Sequence, residues 1–170
     1  MTTATAASPR PASYSALQIA LHWIIAALIL FQLVFGESMG RLGWLLRNNQ
    51  TPTATDYLMA DLHIYVGVAV LVLALWRLMI RVRHGAPAAP EGGNPLLEKA
   101  ATAMHHLFYV LLIGMPVTGL IAEYLFHSMG EIHELGKPVF IIFIVVHAAA
   151  ALYHQYVLKD GVLTRMLRPN

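Results

Sequence analysis

The sequence predicts an all-α fold, a four-helix transmembrane bundle with both termini in the cytoplasm. Three observations carry that expectation. Of the 170 residues, 58% are hydrophobic and only 12% are charged, whereas a soluble domain carries about 25% charged residues. Mean hydropathy is +0.61. Four apolar runs are each long enough to cross a hydrocarbon core of about 30 Å, which takes about 20 helical residues. They show none of the alternating segments of about 10 residues that a membrane barrel requires.

The first run extends from about Ser15 to Phe35 and the second from about Leu58 to Ile80. The third extends from about Leu97 to Phe126 and the fourth from about Ile132 to Val157. Residues 1–13 are small, polar and Pro-containing and read as a flexible tail. The first run is too long for a signal-peptide core and lacks a small-residue cleavage site, so it is expected to remain as an anchor. One domain is expected over 14–158, followed by a cytoplasmic tail over 159–170. Between the first two runs a polar loop holds a candidate interfacial helix over Arg41–Leu46, with Trp44 and Trp76 as interface anchors. The second and third runs are joined by the Pro/Gly loop HGAPAAPEGGNP, which belongs in water.

Basic residues set the orientation. Arg10, Arg77, Arg81, Arg83, Lys99 and the tail residues Lys159, Arg165 and Arg168 fall on one side of the predicted topology. Arg41, Arg47 and Lys137 fall on the other. The excess of Lys and Arg marks the cytoplasmic side. The net charge of +2 comes without a basic stripe carrying interleaved aromatics, so nucleic acid is not an expected partner; membrane lipid is. Cysteine is absent, which excludes disulfides, thiolate-held iron–sulfur clusters and covalent C-x-x-C-H haem attachment.

Chemistry enters through histidines inside apolar runs. His133 and His147 lie 147 − 133 = 14 residues apart on the fourth run, almost four helical turns. They therefore share a face, separated by about 21 Å along the axis. Ala148 to Ala151 follow His147 and leave room for a bulky neighbour. His22 stands in the first third of the first run and so lies level with His147. His63, in the first turns of the second run, lies level with His133. An intramembrane ionisable residue points to function. Two histidine pairs at two depths suit two porphyrin irons, each held by imidazoles on both faces of the macrocycle. Gly67, four residues after His63, would leave space for such a plane. Of His105 and His106, which open the third run, His106 is the candidate for contact with a haem propionate.

These pieces resemble the bacterial cytochrome b561 family of di-haem membrane cytochromes. The matching segments are YSALQIALHW, H-x-x-x-G followed by WRLMIR, HHLFYVLLIGMPVTG, and HAAAALYHQYVLKDGVLTRM. They run in order from Tyr14 to Met166. The resemblance implies two haem b groups with His22, His63, His133 and His147 as iron ligands, in agreement with the depth pairing. It also implies a multi-pass protein of the bacterial inner membrane that carries electrons between an outer donor and the quinone pool. Ubiquinone is then an expected substrate, and His154, Arg77 and Lys159 are candidate contacts to quinone or to haem propionates. Two alternatives follow from the resemblance: a superoxide:ubiquinone oxidoreductase, or a cytochrome b anchor for a periplasmic redox partner docking on the loop from Arg41 to Asp56. The sequence departs from the family pattern in a short connection between the third and fourth runs, and in a His154–Gln155 pair where two histidines often stand.

Overall fold

The computed structural model describes residue 11, residues 13–89 and residues 94–169. The tail expected over 1–13, with Arg10, therefore lies outside the described residues except for Pro11 and Ser13. Five α-helices follow one another: α1 (Ala16–Phe35), α2 (Ser38–Arg47), α3 (Ala54–His84), α4 (Pro95–Tyr124) and α5 (Met129–Tyr153). Among the described residues there is no strand, and four helical segments are long and apolar enough to cross a membrane. The predicted runs are the interiors of these helices, and the short helix expected over Arg41–Leu46 is the longer α2.

Local chemistry sets the boundaries. Ser15 and Gln18 form a reciprocal capping box at the start of α1, with bonds of 3.3 and 3.0 Å. Thr53 and Asp56 do the same for α3. These boxes satisfy backbone N–H groups that have no partner within the helix. Asn94 caps α4, with Pro95 at its first position, where a missing N–H costs nothing. Gly85, at φ +75°, lets α3 stop sharply. α5 ends in a wider turn over His154–Leu158, closed by Lys159 in the left-handed region at φ 54°.

α1 and α3 run antiparallel and are tied along their length. Gln18 Nε2 donates to the Gly85 carbonyl at 3.3 Å and Gln32 Nε2 to the His63 carbonyl at 2.8 Å, and Ser38 Oγ, at the start of α2, donates to the Met59 carbonyl at 3.1 Å. Ala60, Val70 and Ala74 of α3 and Ile19, Leu21 and Ile25 of α1 are buried. Small residues on this seam let the two backbones approach, which is how helices associate where water supplies no driving force. α4 packs on α3 and on α5. Large apolar side chains, among them Leu30, Val34, Tyr65, Val82 and Val110, cover the outside, as a lipid-facing surface requires.

The last residues do not trail away. Trp23 Nε1 donates to the Met166 carbonyl at 2.8 Å, and Arg165 Nη1 donates to the Ala88 carbonyl at 2.7 Å. The expected tail is thus folded back onto α1 and the loop after α3.

Candidate functional site

Two histidine pairs face each other across the bundle. His22 of α1 and His147 of α5 have ring centroids 6.3 Å apart, and His63 of α3 and His133 of α5 have centroids 6.0 Å apart. These are the pairs that depth matching selects. Both draw one member from α5, where the interval of fourteen residues turns both imidazoles inward. A metal–imidazole bond of about 2 Å, with about 1.2 Å from each nitrogen to its ring centre, places two opposed ligand rings about 6.4 Å apart. The observed separations fall about 0.1 and 0.4 Å short of that span. Each pair supplies two nitrogens, and among the described residues no group of three or more ligating side chains could hold a bare metal ion. Two-nitrogen sites suit an iron whose remaining positions are filled by a macrocycle.

At the His63 level the surroundings orient the ligands. His133 Nδ1 lies 2.9 Å from the Met115 carbonyl of α4, with Thr118 Oγ1 at 3.4 Å. A proton held on Nδ1 by that carbonyl leaves Nε2 as the free donor. Gly119 makes room for the ring: a Cβ there would sit 2.9 Å from His133 Cε1. Gly136 clears space for Met115 in the same way. His63 Nδ1 is buried without a hydrogen-bond partner, as is Gln32 Oε1. The space over Gly67, expected to accommodate a porphyrin, faces the Gln32 amide, which a Cβ would meet at 3.3 Å.

At the His22 level a third histidine joins the pair. His105 has its ring centroid 5.5 Å from that of His147, and Phe108 packs on His147 at 5.3 Å. His105 Nδ1 lies 2.6 Å from the Ala101 carbonyl. His106 is exposed and has Nδ1 2.9 Å from the Thr102 carbonyl, so of the two adjacent histidines it is His105 that turns inward. Toward the basic end of the bundle, Tyr14, Gln18, Arg77, Arg81 and Tyr109 line a small recess. Arg77 is within electrostatic reach of both His22 and His147.

His154 lies beyond this level, half-buried, with Nδ1 2.5 Å from Asp160 Oδ2. Burial works against the Asp160 carboxylate, but the His154 ring and the Val162 N–H hold its pKa below the ordinary aspartate value. Lys159, one residue earlier, is exposed. At the opposite end a cleft of about 820 Å³ runs between α1, α2 and the start of α3, lined by Glu37, Arg41, Trp44 and Asp56 among others. Two cations at this end are paired: Arg41 Nε, in the cleft, lies 2.7 Å from Asp56 Oδ1, and Lys137 of α5 reaches Glu37 at 2.5 Å.

The family model for prokaryotic cytochrome b561 matches residues 13–169. The chain belongs to that family. It is similar to cytochrome b562 of Cereibacter sphaeroides, with 40% identity covering 92% of this chain and 96% of the relative. It is also similar to cytochrome b561 homolog 1 of Escherichia coli, at 29% identity over 91% of this chain and 96% of the relative. A third relative, the probable superoxide oxidase CybB of Yersinia pestis, is 28% identical over 91% of this chain and 95% of its own length. Membership makes this cytochrome b561 a multi-pass bacterial membrane protein of electron transfer and implies haem b as its cofactor.

Sequence reasoning passed over Gln32, Thr118, Gly119 and Asp160, and of the two adjacent histidines it favoured His106, the exposed one. A usable signal existed for Gln32, since a polar side chain within an apolar run is expensive unless it has a partner or a task.

Proposed function

We propose that this cytochrome b561 carries electrons across the bacterial inner membrane through two b haems, between a donor at the outer face and the quinone pool. His63 and His133 hold the outer haem, and His22 and His147 the inner one. The observation that carries this reading is the pair of centroid separations, 6.3 and 6.0 Å, each close to the distance at which two imidazoles would hold one haem iron between them. When bound in that way a haem has no open position for substrate and supplies one-electron transfer.

The chain's own residues do the rest. The Met115 carbonyl orients His133, and Phe108 packs against His147. Arg77 and Arg81, with Tyr14 and Tyr109, offer positive charge and hydroxyls to acidic propionates at the inner level, with His105 beside them. His154, held by Asp160, stands where a quinone carbonyl could take a hydrogen bond and a proton from the ring, with Lys159 close by in sequence. The concentration of Lys and Arg at this end supports its assignment to the cytoplasm, with both termini there. The cleft beside Arg41 and Trp44 then opens to the outside and offers a surface to a periplasmic redox partner.

Superoxide as the outer donor has less support. An anion needs a positive funnel to be drawn in, whereas two of the three outer cations, Arg41 and Lys137, are paired with carboxylates and only Arg47 is left to attract it.

The test is a pyridine haemochrome assay against a protein count. Two haem b per chain are expected. His22→Ala and His147→Ala should each remove one haem, and His63→Ala and His133→Ala the other. A chain without haem, or loss of both haems from a single substitution, refutes the proposal.

A further inference from the structure

We propose that Gln32 is a positioning residue for the outer haem: its side-chain oxygen accepts the Nδ1 proton of His63 through one buried water, and so sets the ring's donor strength toward iron. This rests on the reading of His63 as an outer ligand.

The orientation of the Gln32 amide follows from its neighbour. Nε2 lies 2.8 Å from the His63 carbonyl, which can only accept, so the amide presents NH₂ there and its oxygen is left as an acceptor. That oxygen is buried without a partner, and so is Nδ1 of the same histidine whose carbonyl the amide already holds. An amide oxygen cannot donate. The two groups satisfy each other only if Nδ1 carries the proton, the tautomer that leaves Nε2 free for a metal. A bridging water needs two to four polar partners, and this corner offers both. His133 reaches the same tautomer by another route, through the Met115 carbonyl at 2.9 Å.

Two glycines border the amide and the ring. A Cβ on Gly67 would meet Gln32 Nε2 at 3.3 Å, and one on Gly36 would approach His63 Cε1 at 3.4 Å. Glycine at both positions lets the amide and the ring lie close to the helix backbones. Gln32 itself interrupts the apolar stretch ALILFQLVF, where an amide is costly unless every polar atom is used.

A mere tether between α1 and α3 would need only Nε2. Redox potential separates the two roles, because a stronger acceptor on Nδ1 makes the imidazole more basic and favours ferric iron. The full-length protein, purified with its haems, is titrated potentiometrically with both midpoints resolved. Gln32→Leu should raise the midpoint of the outer haem alone, increasing its reduced-to-oxidised ratio at fixed potential by about fivefold, the worth of one ordinary hydrogen bond. Gln32→Glu, which keeps an oxygen facing Nδ1, should leave that midpoint at or below the wild-type value. Where Gln32→Leu does not accumulate, Gln32→Met provides the same apolar comparison. No shift, an equal shift of both haems, or a rise in Gln32→Glu matching that of Gln32→Leu overturns the role of Gln32. A wild-type protein lacking the haem that His63→Ala should remove overturns the outer site itself, and the two failures are thereby distinguished.

Discussion

Replacing Gly119 by alanine places a methyl carbon 2.9 Å from His133 Cε1 and 3.1 Å from Nδ1. Ordinary carbon contacts lie at about 3.5 to 4.0 Å, so the ring must move by roughly 0.6 to 1 Å. His133 has little freedom for that, because Nδ1 is held 2.9 Å from the Met115 carbonyl, and a shift away from Gly119 strains or breaks the bond. Overpacking of this kind costs about 1 to 3 kcal/mol, set against a gain of up to about 1 kcal/mol for alanine in a helix. At about 1.4 kcal/mol per decade, the unrelieved cost is a roughly 5- to 150-fold weaker hold on the outer haem. Gly114 on the same helix is the control, since a Cβ there meets nothing within 4 Å. Reduced-minus-oxidised spectra and haem-to-protein ratios of the two alanine variants provide the comparison. Gly119→Ala should lose or shift one haem and leave the other as in wild type, while Gly114→Ala should leave both unchanged. An unperturbed Gly119→Ala protein, or equal damage from Gly114→Ala, would refute the assignment of Gly119 to the His133 site.

Two further predictions concern the folded-back tail. Trp23→Phe removes the bond to the Met166 carbonyl, worth about 1 kcal/mol, and should speed proteolytic cleavage after Lys159 or Arg165 while leaving both haems in place. The Asp160 carboxylate has a folded pKa below its ordinary value, so its contribution to stability is complete above the unfolded value of about 3.9 and is lost as pH falls through the lower folded value. Thermal midpoints followed from about pH 5 down to about pH 2 should therefore fall more steeply in wild type than in Asp160→Asn; parallel curves would mean that the His154–Asp160 pair adds nothing in solution.

The sequence alone determined the spans and the pairing of histidines by depth. Length and hydropathy decide what crosses the membrane, and the rise of about 1.5 Å per residue converts position along a helix into level. His22 with His147 and His63 with His133 follow from that conversion. Rotation about each helix axis was beyond its reach. In a membrane bundle the lipid-facing and core-facing sides are both apolar, so the hydrophobic pattern carries little information about which side turns inward. That is why the sequence favoured His106, although His105 is the one that turns inward. The tertiary structure decided that His105 meets His147, that the Gln32 amide takes the space over Gly67, and that Met115 and Gly119, one turn apart on α4, frame His133. Each depends on which neighbouring helix is close enough to touch, and helix packing alone sets that.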